Sequence, residues 1–148
     1  MIAPITPDQY DPDTAAAMTD LTDRLEGLPS YLGIRTTDVG PATMCAELDV
    51  RAELLNPFGT LHGGVLSALV DHVLGAVLYP VIDRGHWAAT TEFKLNLLAA
   101  VRDGTLTARS TIVSLTRRTA VVQVEVENDG RLCGLAQGTV LIVEPRNG

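Results

Sequence analysis

A chain of 148 residues with net charge −7 and one lysine (Lys94) is sized for a single domain that buries roughly two-thirds of its surface. Its 46% hydrophobic and 20% charged residues are ordinary globular values, and the acidic balance argues against a general nucleic-acid surface. Cys45 and Cys133 match no metal or CxxC spacing, and no basic-then-apolar leader is seen, so two buried free thiols in a cytoplasmic protein are expected.

Residues 1–10 carry prolines at 4 and 7 and read as an arm. Asp11-Pro12 is a helix start, with Asp11 as cap and Pro12 in the first turn. Met18, Leu21, Leu25 and Leu28 predict one apolar face that Gly27 and Pro29 end, opposite an acidic face of Asp13, Asp20, Asp23 and Glu26. Residues 1–30 thus form an arm and short helix, and 31–148 the main domain. From Tyr31 the period changes to two. Strands are expected at Tyr31–Arg35 and Thr43–Val50, joined across Gly40-Pro41.

Asn56 to Leu78 is the stretch around which the rest is arranged. A loop with Asn56, Pro57 and Gly59 runs into His62-Gly63-Gly64. Val65, Leu66, Leu69, Val70, Val73, Leu74, Val77 and Leu78 then mark a wide helical stripe, and Ser, Ala and Gly fill most other positions. Such a helix is expected to be buried all round, which makes Asp71 conspicuous. Two glycines at its start lower helix propensity but leave bare N–H groups at the positive end of the helix dipole. Leu61 to Ile82 is long enough for a membrane span, but His62, Asp71 and His72 interrupt it, so no membrane is expected.

Strands follow at Trp87–Leu98, Thr105–Leu115, Thr119–Glu127 and Arg131–Glu144, with hairpin signals at Asp103-Gly104 and Asp129-Gly130. The order predicts an α+β domain: an antiparallel sheet, five to six strands wide and ending in a four-strand meander, curled around one long helix.

Asn56-x-x-Gly59-x-x-His62-Gly63-Gly64 followed by Asp71 resembles the hotdog-fold acyl-CoA thioesterases of the phenylacetate-pathway type. The resemblance runs from about Tyr31 to Val143 and includes Tyr31-Leu32-Gly33-Ile34 and Thr90-Thr91-Glu92-Phe93. It implies that the Gly63 N–H, helped by the Asn56 side chain, polarises the thioester carbonyl. Asp71 would be general base or nucleophile, His62 would support the carbonyl-binding loop, and Thr90, or Thr91 beside it, would hold the water. The reaction needs these types. Charge grows on the carbonyl oxygen, and a carboxylate in an apolar wall is a better base near neutral pH. Gly64 and the turn residues Arg117 and Arg118 are candidates for contacts to CoA, the arginines to its phosphates.

Other residues carry less. Asp71 and His72 point about 100° apart on a helix and form no dyad. Ser67 lacks the strand-to-helix elbow of a serine hydrolase, and His86 is expected in an exposed loop. The first reading is therefore an acyl-CoA thioesterase without metal or organic cofactor. A hotdog-fold dehydratase or hydratase is a rival, although its Asp-x4-His pattern is missing. A non-catalytic acyl-CoA sensor is another, although it has no need of Asp71. Gly63 and Asp71 are eight residues apart, roughly 12 Å along a helix axis, too far to serve one thioester. A homodimer with antiparallel helices, paired again as a dimer of dimers, is expected.

Overall fold

The computed structural model describes residues 5–146, so the proline at 4 lies outside the described residues. Helix α1 (Pro12–Asp20) starts where Asp11 caps it: one carboxylate oxygen accepts the N–H groups of Asp13 and Thr14, the other the Thr14 hydroxyl. Arg84, from the connector after the central helix, donates to the same carboxylate at 2.8 Å. Thr14, then Arg84, holds the Asp11 carboxyl down at about 2. The cap thus also ties the N-terminal segment to the domain.

The continuous helical face expected as far as Leu28 does not form. α1 stops at Leu21, a 3₁₀ turn spans Thr22–Arg24, and Leu21 and Leu28 are exposed. The strand expected at Tyr31–Arg35 is also corrected. Gly27–Leu32 is a second helix, α2, ended by Gly33 in the left-handed region at φ +74. There the N–H of Gly33 meets the Ser30 carbonyl, and that of Ile34 the Pro29 carbonyl. Arg51 satisfies the orphan carbonyls of Tyr31 and Leu32 and lies 5.4 Å from the Tyr31 ring centre. Leu32 and Ile34 are both buried, one from a helix and one from extended chain, so alternation over five residues misled.

Strands β1 (Arg35–Val39) and β2 (Thr43–Asp49) form a hairpin, closed by the Gly40 N–H on the Thr43 carbonyl at 2.8 Å. The remaining strands are β3 (Trp87–Leu97), β4 (Thr105–Leu115), β5 (Thr119–Asn128) and β6 (Arg131–Val143). All pair antiparallel in the order β1-β2-β4-β5-β6-β3. The meander is therefore three strands, not four: β3 lies at the far edge against β6, and the chain crosses back to β4. Asp103-Gly104 is accordingly no hairpin; its Gly104 carbonyl accepts the Val50 N–H at 2.9 Å. Asp129-Gly130 is one, with φ of 48 and 84 and Asn128 paired to Arg131, as a type I′ turn requires.

The central helix, α3 (Gly63–Ala76), lies on the inner face of this sheet. Leu66, Leu69, Val70, Val73 and Leu74, with Val77 and Leu78 beyond, pack in one core with Met44, Leu48, Leu106, Ile112, Val122, Val124 and Val140. Burying each such side chain contributes about 1.5–3 kcal/mol. Gly138 permits the close approach, since a Cβ there would stand 2.7 Å from Phe93 Cβ and 3.1 Å from Leu74 Cδ1. Gly63–Val81 is long and apolar enough to cross a membrane, but its apolar stripe is the core of this sheet.

Within one chain α3 is not buried all round. Its opposite face, through Gly64, Ala68, Asp71, His72 and Gly75, is exposed or half-buried. Small residues do not by themselves mean burial. Cys133 is buried and Cys45 only half-buried, both as free thiols that burial pushes up in pKa.

Candidate active site

The loop before α3 is held by its own side chains. Asn56 Oδ1 accepts the N–H groups of Phe58 (2.9 Å) and Thr60 (3.3 Å), while its Nδ2 donates to the Thr60 hydroxyl at 2.8 Å. Asparagine suits such a turn because its amide imitates backbone. The Leu61 N–H meets the Val101 carbonyl and that of His62 the Leu54 carbonyl, which fixes where the helix begins.

His62 is the N-cap. Its backbone is extended (φ −65, ψ 130), and its Nδ1 accepts the Gly64 N–H at 2.8 Å. That bond requires Nδ1 to be unprotonated, leaving the hydrogen of the neutral ring on Nε2. The Val65 N–H goes to the His62 carbonyl. Among the described residues the Gly63 N–H takes no partner, so the first turn presents one uncommitted donor at its positive end. Gly64, a candidate for contact with CoA, gives its own N–H to His62. A Cβ at Gly64 would stand 2.9 Å from His62 Nδ1, so the second glycine makes room for the cap.

Gly63 lines a cleft of about 210 Å³ with Asn56, Thr60, Leu61, Leu66 and Leu97 among others. Asp71 lies in a different cleft, of about 320 Å³, with His72, Gly75, Tyr79, Ala88 and Thr90. The two share no residue. Asp71 is exposed, so the apolar wall expected around it is not supplied by its own chain.

A bulge in β3 between Thr90 and Glu92 separates the two threonines. Thr91 spends its hydroxyl on the Thr139 carbonyl at 3.1 Å, whereas Thr90 lines the Asp71 cleft, its hydroxyl 4.0 Å from where a Gly75 Cβ would stand. His72 lines that cleft as well. Burial lowers its pKa, and the neighbouring Asp71 carboxylate offsets this in part.

Arg117 and Arg118 belong to neither cleft. They sit exposed in the β4–β5 turn, Arg117 against Glu144 at 3.2 Å. The Arg118 carbonyl accepts the Ile142 N–H, and Ile142 pairs with Ala88, so the turn lies near the end of β3 that carries Thr90. Leu97 was not singled out from the sequence. A Cβ on Gly63 would stand 3.0 Å from its Cδ1, and it is 61% exposed, so it flanks the free donor without being core. Its signal was present: Leu97-Leu98 breaks the alternation of the strand that it ends.

Residues 58–134 match the Thioesterase superfamily. A putative esterase of Haemophilus influenzae is 30% identical over 77% of this chain and 83% of its own length. A 1,4-dihydroxy-2-naphthoyl-CoA hydrolase of Listeria monocytogenes is 26% identical over 81% of this chain and 98% of its own. The crystal structure of the thioesterase HI1161 from Haemophilus influenzae superposes with a TM-score of 0.79 at 27% identity, covering 88% of this chain and 90% of that one. The six-stranded antiparallel sheet around α3 is thus the hotdog fold that the sequence resemblance implied. The chain belongs to the Thioesterase superfamily, and it is a thioester hydrolase.

Proposed function

We propose that the protein hydrolyses an acyl-CoA to a free carboxylic acid and CoA, at sites shared between two copies of the chain. The observation that carries this reading is the single uncommitted N–H, that of Gly63, at the head of a helix whose neighbouring donors are capped. The Listeria relative, named for a CoA thioester, supports the CoA portion.

In this reading the thioester oxygen accepts from the Gly63 N–H, with the second hydrogen of the Asn56 amide beside it. One preorganised donor of this kind contributes about 3 kcal/mol to the transition state. Asp71 acts as general base, with Thr90 orienting the water. The water oxygen bonds to the carbonyl carbon and its proton passes to Asp71. The C–S bond then breaks, and the proton leaves with the CoA sulfur. Attack by Asp71 itself, followed by hydrolysis of the anhydride, fits the same groups. Arg117 and Arg118 meet the nucleotide phosphates. His62 serves by fixing the first helical turn.

Because Gly63 and Asp71 open into separate clefts, the active unit is a homodimer in which the open faces of two α3 helices lie antiparallel, and two dimers pair again. The protein acts in the cytoplasm. The test is hydrolysis of an acyl-CoA panel (phenylacetyl, hydroxybenzoyl, medium- and long-chain) with thiol release measured, by wild type and Asp71→Asn. Release lost in the variant supports the reading. Equal release by the variant would remove Asp71 from the chemistry, and release from no acyl-CoA would rule out CoA thioesters as the substrate.

A further inference from the structure

Phe58 is 87% exposed, although the turn that carries it is held fast. Its N–H meets Asn56 Oδ1 at 2.9 Å, the Gly59 N–H meets the Asn56 carbonyl at 3.0 Å, and Gly59 takes φ +78 to close the turn. A lone exposed apolar side chain is ordinary. This one has a recess of matching character elsewhere on the chain. One turn beyond Asp71 the open face of α3 carries only Gly75 and Ala76. A Cβ on Gly75 would meet Ala88 Cβ at 3.8 Å and Thr90 Oγ1 at 4.0 Å, no tighter than ordinary contact. Tyr79, His72 and Asp71 complete that cleft.

The proposed dimer brings the two together. In antiparallel helices that set Gly63 of one chain beside Asp71 of the other, the segment before Gly63 runs alongside the partner's helix beyond Asp71. Phe58 stands five residues before Gly63, and Ala76 five after Asp71. Resting on that proposed function, we infer that Phe58 of the partner subunit closes the cleft over Gly75 and Ala76 and supplies the apolar wall that Asp71 lacks in its own chain. Phe58 is thereby a positioning residue. It keeps bulk water from the carboxylate on the side away from the thioester and leaves the one water held by Thr90. Such a wall disfavours the charged carboxylate and makes it a stronger base near neutral pH. His72 and Tyr79 face the cleft from α3 and the turn after it, and β3 brings Ala88 and Thr90 to it. The same pairing sets the partner's His62 opposite His72.

The experiment measures kcat/KM against pH with the acyl-CoA that wild type turns over fastest. Phe58→Ala should move the acid limb down by about one pH unit. It should also lower kcat/KM at the optimum about tenfold. Phe58→Leu, which keeps an apolar wall, should hold the wild-type limb. Phe58→Gln, which keeps bulk without an apolar face, should shift the limb as Ala does and carries the test if Phe58→Ala does not assemble. Repeating the series in a His72→Gln background assigns the limb, and a limb that vanishes there belongs to the imidazole and overturns the inference. Phe58→Ala is then refolded with a large excess of Asp71→Asn, so that each intact Asp71 faces an intact Phe58 and Gly63 on the partner. The wild-type limb should return. A limb that stays shifted would mean that Phe58 serves the Asp71 of its own chain, and a wild-type limb in Phe58→Ala alone would mean that it serves neither. Both overturn the inference and leave thioester hydrolysis standing. A wild type that releases thiol from no acyl-CoA overturns the proposed function and this inference with it.

Discussion

The two ends of the candidate site are built in opposite ways. The donor end, Asn56 to Gly64, is complete within one chain: a loop closed on its own amide, a histidine cap, and one N–H left over. The acid end, Asp71 with Thr90, is a shallow, exposed cleft on the open face of the same helix. A preorganised donor needs rigidity, which local hydrogen bonds supply. A carboxylate base needs a drier setting than Asp71 finds here, and a second copy of the helix would provide one. On the proposed reading, the difference means that α3 carries half of each of two sites without holding a whole one.

The largest effect is expected at the acid end. Asp71→Asn should lower kcat about 10²–10⁴-fold, as loss of a general base does, with an unchanged melting temperature because the amide nearly preserves the shape of the carboxylate. Activity lost together with folding would make Asp71 structural. At the donor end the effect should be divided between activity and stability. His62→Ala removes the bond to the Gly64 N–H, and chemical denaturation should show a loss of about 1 kcal/mol, the usual size for a helix cap. kcat should fall about tenfold as the Gly63 N–H loses its alignment, a loss of about 1.4 kcal/mol. A variant that loses stability but keeps kcat would uncouple the cap from the chemistry.

Replacing Arg117 and Arg118 together by Ala should raise KM for acyl-CoA and leave acyl-pantetheine thioesters unaffected. The difference should shrink with salt, because both side chains are exposed. Equal effects on both substrates would remove the arginines from the nucleotide site.

The smallest effects concern pH. His72 has its pKa lowered in the folded chain by burial, so the unfolded chain takes up a proton first as pH falls below 6.5, and stability declines there. Asp11 is lowered from 3.8 to about 2, so its stabilising contribution is present above 3.8 and lost as pH falls towards 2. Urea titrations across pH should show both declines, with His72→Gln flattening the first and Asp11→Asn the second.

Much of this was legible in the sequence, and the parts that were not have physical reasons. The Asp11 cap, the start of α3 and strands such as Thr105–Leu115 follow from local signals of capping, glycine and alternation. The edge position of β3 does not, because strand order is decided by contacts far apart in sequence. Tyr31–Arg35 was misread because five residues are too few to separate a helix end from a strand. Asp71 was expected to be buried because Gly, Ala and Ser were counted with the apolar residues, although they leave one face of α3 open in a single chain. His62, whose role was stated only as support, has a specific partner, the Gly64 N–H.

The shared site is the central claim, and mixing two inactive variants tests it most directly. Asp71→Asn removes the base. Gly63→Pro removes the donor at a first-turn position that proline tolerates, after a His62 backbone (ψ 130) that already suits a following proline. Unfolded and refolded together in equal amounts, half of the dimers should be mixed, each with one intact and one doubly damaged site. Activity should return to about a quarter of wild type, as an isologous interface with shared sites requires. If both variants fold, their subunits exchange, and no activity returns, Gly63 and Asp71 do not meet across a dimer and the shared-site account is wrong.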